Sequence, residues 1–197
     1  MNDLNDLLSK QALILWLLKE KLQVVNYLIE ELSSNTTPFL FQNHFFINTT
    51  HLYFRSAIID LGALVIAREN AHKNNMHLLY SNPILAIQLS QPIANQIQNI
   101  LDAEKGDIKI IHTLRDTSMA HYDLPDQSLA FETDQLPVVN HLCDICTQIL
   151  EIAGRQQNTE FVFPPENLES LQRLVKDTEH LRKGQRQFPD IANQRRT

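Results

Sequence analysis

Residues 114–123 read Leu-Arg-Asp-Thr-Ser-Met-Ala-His-Tyr-Asp, a run whose side chains can act on a phosphodiester without a metal. Cleaving an RNA phosphodiester in that way needs a group that moves protons among the 2′ oxygen, the phosphate and the leaving oxygen. It also needs a cation to hold the charge that builds on the phosphate. His121 titrates near neutrality and suits the first task, and the planar guanidinium of Arg115 can grip two phosphate oxygens and suits the second. Asp116 can orient either of them, with Ser118 and Asp123 as supporting polar groups. Six residues separate Arg115 from His121, which is roughly 9 Å of helical rise and about 120° around the axis. One helix does not aim both side chains at one atom, so the pair needs a second copy facing it across a cleft, or a fraying helix end near Tyr122.

Other constellations fail on spacing. The four glycines, Gly62, Gly106, Gly154 and Gly184, are isolated, so neither a dinucleotide-binding turn nor a phosphate-cradling loop can be written, and any phosphate chemistry falls to side chains. There is no H-E-x-x-H and no H-x-E. His141, Cys143 and Cys146 resemble half of a zinc site, but a second C-x-x-C is missing. Both thiols fall beside Leu142 and Ile149 on the apolar side of a helix, where buried structural cysteines are expected. The pairs His44 with His51 and His72 with His77 have no carboxylate arranged around them, so no metal and no cofactor is expected. Ser81, Ser90 and Ser118 lack the flanking glycines of a nucleophile elbow.

Arg115-Asp116, Ala120-His121 and Asp123 together resemble the R-x(4–6)-H signature of the HEPN superfamily, and within it the abortive-infection, AbiU-type branch. The consensus of that branch runs near Arg-Asp and then Ala-His-Ser-Asp; here Tyr122 replaces the small residue. A helix over residues 55–69, with Asp60, is similar to the one that precedes the motif in that branch. The resemblance implies a HEPN-like helical bundle and a metal-independent ribonuclease that works as a homodimer, with Arg115, Asp116 and His121 catalytic. RNA is then a partner, and a separate antitoxin protein is a possible second one, in a prokaryotic defence or toxin–antitoxin setting. Arg173 and His180 repeat the spacing, but Leu174 stands where the family has a polar residue, so this second match is read as a decoy.

The elements that must position these residues are helical. Leu4, Leu8, Gln11, Leu15, Leu18, Leu22, Val25, Ile29 and Leu32 alternate steps of four and three, the pattern of a long amphipathic helix with a heptad seam. That seam can serve the bundle, or it can pair with itself or a partner helix, which is the alternative reading of the chain as a noncatalytic binding or dimerisation module. A second helix is expected over 50–74, and further helices begin at Pro83 and Pro92. Gly106 is expected to break the chain and Asp107 to cap a helix running to Tyr122. Two more are expected over 137–154 and 165–184. Short extended pieces are conceivable at 128–133 and 160–163. The fold class is all-α, five to seven helices in one domain over 1–184, followed by a polar tail over 185–197.

Composition sets the surroundings. A hydrophobic share of 43% supports a core, and the two cysteines are too few for a disulfide framework. No secretion signal or membrane span is read, and a cytoplasmic protein is expected. The net charge of −6 argues against nucleic-acid binding by bulk electrostatics, but it is uneven: residues 170–197 carry +4. Within them Arg173, Lys176, His180 and Lys183 fall on one helix face as a candidate RNA-binding strip, with a solvated face as the plainer reading.

Overall fold

A computed structural model describes residues 3–33, 43–67, 73–120, 133–163, 165 and 167–187. These residues form α1 (Leu4–Ser33), α2 (His44–Val65), α3 (Leu78–Ser81), α4 (Pro83–Leu89), α5 (Gln91–Ala103), α6 (Lys105–Ala120), α7 (Leu136–Gln156) and α8 (Glu169–Gln187), with a 3₁₀ turn at Thr133–Gln135. The protein is all-helical, and the described residues contain no strand. They hold eight α-helices where five to seven were expected, the unforeseen one being the single turn α3.

The heptad pattern of α1 translates directly into burial. Leu4, Leu8, Gln11, Leu15, Leu18, Leu22 and Val25 are all buried, and Ile29 packs against the same cluster. The seam is taken up by the chain's own core, chiefly against α2 and α7, and is not left open for a partner helix. Asn26 and Asn140 exchange amide hydrogen bonds of 3.2 and 3.0 Å between α1 and α7. Lys21 of α1 forms an ion pair with Asp60 of α2. α8 joins through a smaller cluster in which Val175 meets Leu28 and Phe46. No described helix is long and apolar enough to cross a membrane.

Boundaries moved where tertiary contacts decide them. α2 starts earlier than expected because Asn43 caps it, its Oδ1 accepting from Phe45 N at 3.0 Å. It also ends earlier, at Val65 rather than 74, because residues 75–77 return to take its last carbonyls. Asn75 Nδ2 donates to Ala63 O at 3.2 Å and to Ile66 O at 2.9 Å, Met76 N donates to Leu64 O at 2.8 Å, and His77 Nε2 lies 2.9 Å from Val65 O. Gly106 does not break the chain; it is the second residue of α6, and the joint falls at Glu104, whose carbonyl accepts from Ile108 N at 2.9 Å. Asp107, expected as the cap, lies in the first turn instead, where its charge favours the helix N-terminus. α7 matches its expected span within two residues. α8 begins at Glu169 rather than Pro165 and runs past Gly184, a helix-interior glycine that costs about 1 kcal/mol and is tolerated. Residues 160–163 form no strand, and the other extended piece lies, apart from Thr133, outside the described residues.

His77 makes this seal titratable. A carbonyl can only accept, so Nε2 carries the proton toward Val65 O and Nδ1 accepts from the Tyr80 hydroxyl. Burial lowers the pKa of His77, opposed by the bond to Val65 O and by Asp102, and assisted by Lys105. The unfolded chain therefore binds more protons than the native one between the folded pKa and about 6.5, and stability rises with pH across that window. The melting temperature is expected to fall as pH drops through about 6.5 and to level off below the folded pKa. A pH series on His77→Gln should flatten that slope; an unchanged slope would remove His77 as its source.

Candidate functional site

α6 carries residues 115–120 of the motif and packs mainly on α2, so this part of the site is built where these two helices cross. Ile111 and Leu114 are the buried anchors of α6. Arg115 follows Leu114 and leans across α2 at Gly62: a Cβ placed on that glycine would lie 3.1 Å from Arg115 Cδ and 3.9 Å from Cγ. The missing side chain at position 62 thus makes room for the aliphatic stem of Arg115. Its Nε lies 3.7 Å from Asp116 Oδ1. Asp116 Oδ2 in turn lies 3.4 Å from His112 Nδ1. The exposures of these side chains are 28% for Arg115, 49% for Asp116 and 41% for His112, so the stem of Arg115 is anchored while the trio stays open to solvent.

The structure thus brings Arg115 and Asp116 together. His121 and Asp123 lie outside the described residues, and Ser118 sits within α6 with its side chain outside them. Asp60, expected on the helix before the motif, lies on α2 with α3, α4 and α5 between it and α6, and is engaged by Lys21 of α1. No family model, curated protein or solved structure matches the chain. Its chemistry has to be read from its own side chains.

His112 is the residue that the motif reading passed over. It stands three residues before Arg115 and four before Asp116, so on an ideal helix it shares a face with Asp116, about 40° away. A groove of about 320 Å³ on another face of α6 is lined by Gly106, Lys109, Ile110, Thr113, Leu114 and Gln135, none of them a member of the trio. Lys109 lies one turn from His112 and brings a second cation to the same stretch of helix.

The remaining candidates resolve differently. Cys143 and Cys146 are buried, as their place on the apolar side of α7 predicts. Burial pushes the Cys143 thiol up to about 11 and that of Cys146 well above its ordinary value, so neither is a ready thiolate at neutral pH. In the basic strip, Arg173 is exposed with its Nε 3.8 Å from Asp177 Oδ2, one turn along the same helix. Lys176 and His180 are exposed as well, and the Lys183 side chain lies outside the described residues. Among the described residues one group could hold a cation: Glu104, Asp107 and His141 place ligand atoms within 4.8 Å of one another. His141 Nε2 lies 3.0 Å from Glu104 Oε2 across 37 residues of sequence, a separation that no metal-site spacing rule covers.

Proposed function

We propose that the chain is a metal-independent ribonuclease of the HEPN type, acting in the cytoplasm in a prokaryotic defence or toxin–antitoxin system. Arg115 clamps the scissile phosphate, His121 is a general acid or base, Asp116 orients the site, and Ser118 and Asp123 support it. RNA is the substrate, and a second copy of the chain faces the first to complete the cleft. A separate antitoxin protein is the partner that would restrain it. The observation carrying this reading is the seating of Arg115: its stem lies over Gly62 and its Nε is 3.7 Å from Asp116, with the side chain still reaching solvent. A guanidinium held in this way is ready to meet a phosphate without first being ordered.

The test is cleavage of a structured RNA in buffer containing a chelator. Activity should survive chelation and fall at least about 100-fold in His121→Ala. Equal activity in the variant, or loss on chelation alone, would overturn the reading.

A second reading, a noncatalytic binding module, draws on α2. Phe45, Leu52 and Ile59 are exposed and recur every seven residues, forming one outward apolar stripe. The same stripe is available to the homodimer. Sedimentation of wild type and Leu52→Glu at matched concentrations separates these cases: a dimer that the substitution splits assigns the stripe to self-association, and RNA binding without cleavage favours the binding module.

A further inference from the structure

We propose that Glu104, Asp107 and His141 form a binding site for a divalent transition cation, zinc fitting best, which ties α7 to the joint between α5 and α6. One ligand atom of each residue falls within 4.8 Å of the others. Three helices bring them together: Glu104 closes α5, Asp107 lies in the first turn of α6, and His141 stands in the second turn of α7.

The backbone sets this arrangement. Glu104 N donates to Leu101 O at 3.3 Å and its carbonyl accepts from Ile108 N at 2.9 Å, so the joint is hydrogen-bonded on both sides. Asp107 follows three residues later, a spacing that on helical backbone leaves two side chains on one face, about 60° and about 4.5 Å apart. On α7, Leu142 and Cys143 are buried beside His141, which leaves the imidazole at the edge of the core. Its Nε2 reaches the joint, 3.0 Å from Glu104 Oε2.

The charges favour a cation. Two carboxylates share this small space, and the cation next to them in sequence, Lys105, pairs with Asp102 at 3.1 Å. Glu104 is only 20% exposed, so solvent does little to screen its repulsion from Asp107. His141 is 49% exposed and leaves the cluster open to an ion from solution. The donor set then selects the ion. One imidazole nitrogen with two carboxylate oxygens suits tetrahedral zinc, with water in the position the protein leaves open. Calcium asks for about six to eight oxygens and magnesium for near-ideal octahedral oxygen coordination, and neither gains from an imidazole. Zinc bonds of about 2.0 to 2.2 Å place tetrahedral ligand atoms about 3.3 to 3.6 Å apart. The widest pair must therefore close by no more than about 1.5 Å, a movement within reach of side-chain rotation.

This site stands apart from the ribonuclease reading. Asp107 precedes Arg115 by eight residues, about 12 Å along α6, so the ion is structural and cleavage in chelator would proceed without it.

The experiment titrates metal-free protein with zinc chloride, and in parallel with magnesium chloride, by calorimetry, and records melting curves with and without each ion. Wild type should bind one zinc ion per chain at least about 100-fold more tightly than magnesium. It should melt about 5 to 11 °C higher when free zinc exceeds its dissociation constant about a hundredfold. His141→Gln keeps a donor for Glu104 but offers no ring nitrogen, and Asp107→Asn removes a charge at constant size. Both should lose at least about tenfold in zinc affinity, since even a group that only supports a ligand is worth that much. His180→Ala, which removes another exposed histidine, should lose nothing. Should either variant melt early without zinc, Glu104→Gln, which still accepts from His141, carries the same comparison. Zinc affinity unchanged in the ligand variants would place the ion elsewhere on the chain, and a wild type that neither binds zinc nor melts higher with it would reduce the cluster to a hydrogen-bonded contact between helices. Either result overturns the site, and magnesium bound as tightly as zinc overturns the assignment of the ion.

Discussion

Arg115→Ala is expected to lower RNA cleavage by at least about 100-fold, the size of effect seen when a group that holds transition-state charge is removed. The loss should fall on kcat more than on KM, because charge on the phosphate oxygens grows toward the transition state. Arg115→Lys should recover little of it: an ammonium keeps the charge but cannot grip two oxygens in one plane. Gly62→Ala approaches the same side chain from α2. Its new methyl would stand 3.1 Å from both Arg115 Cδ and Ile66 Cδ1, so the stem must shift by a few tenths of an ångström. A fall in cleavage in Gly62→Ala at unchanged melting temperature would place Arg115 in the reaction through its position. If Arg115→Ala retains wild-type kcat, the phosphate clamp is lost as an idea, whatever His121 does.

The second large effect is on stability. Gly154→Ala is expected to destabilise the protein by about 1 to 3 kcal/mol, the range for forcing atoms into a filled site. For a chain of this size that is a fall of about 2 to 12 °C in melting temperature. Gly154 sits in the last turn of α7, and its carbonyl accepts from Gln157 N at 2.9 Å and Thr159 N at 2.8 Å. The turn closes through Asn158, whose φ of 53° is a left-handed conformation that asparagine accepts more readily than most residues. The returning chain then lies directly on Gly154: a Cβ would come within 2.5 Å of Thr159 O and 2.8 Å of the Phe161 ring. The ring can give way, but the backbone oxygen is held by the turn. Calorimetry on Gly154→Ala checks this, and an unchanged melting temperature would mean that residues 157–161 move aside at little cost.

What the sequence disclosed of this architecture follows from how local each cause is. α1 was legible because one helix's period records which of its faces is buried. The starts of α4 and α5 were legible because Pro83 and Pro92 act on their own turns. The end of α2 was not, since the groups that take the carbonyls of residues 63–66 come from residues 75–77, and nothing in residues 66–74 announces them. Gly106 misled for a related reason: glycine permits a break without requiring one, and the joint formed at Glu104 instead. In the site, Arg115 and Asp116 were legible as a motif. His112 was within reach of the same logic, four residues from Asp116, but a pattern read forward from Arg115 never looks behind it. The support of Arg115 by Gly62 joins two helices, and only the fold reveals it.

One buried polar group has a bearing on how many ways the chain can pack. Gln11 is the single polar residue in the α1 seam; its Nε2 donates to Asn75 O at 3.1 Å, and its Oε1 has no hydrogen-bond partner among the described residues. Sliding α1 by one heptad along its neighbours would replace one aliphatic residue with another at five of the seven overlapping seam positions and cost little there. It would also carry Gln11 about 10 Å away from Asn75 and strand a whole amide in hydrocarbon. An unmet buried amide costs about 1 to 3 kcal/mol, so the alternative register is disfavoured by the one residue that suits the core least. Gln11→Leu would then trade uniqueness for stability, giving a chain that melts higher but samples more than one alignment of its longest helix.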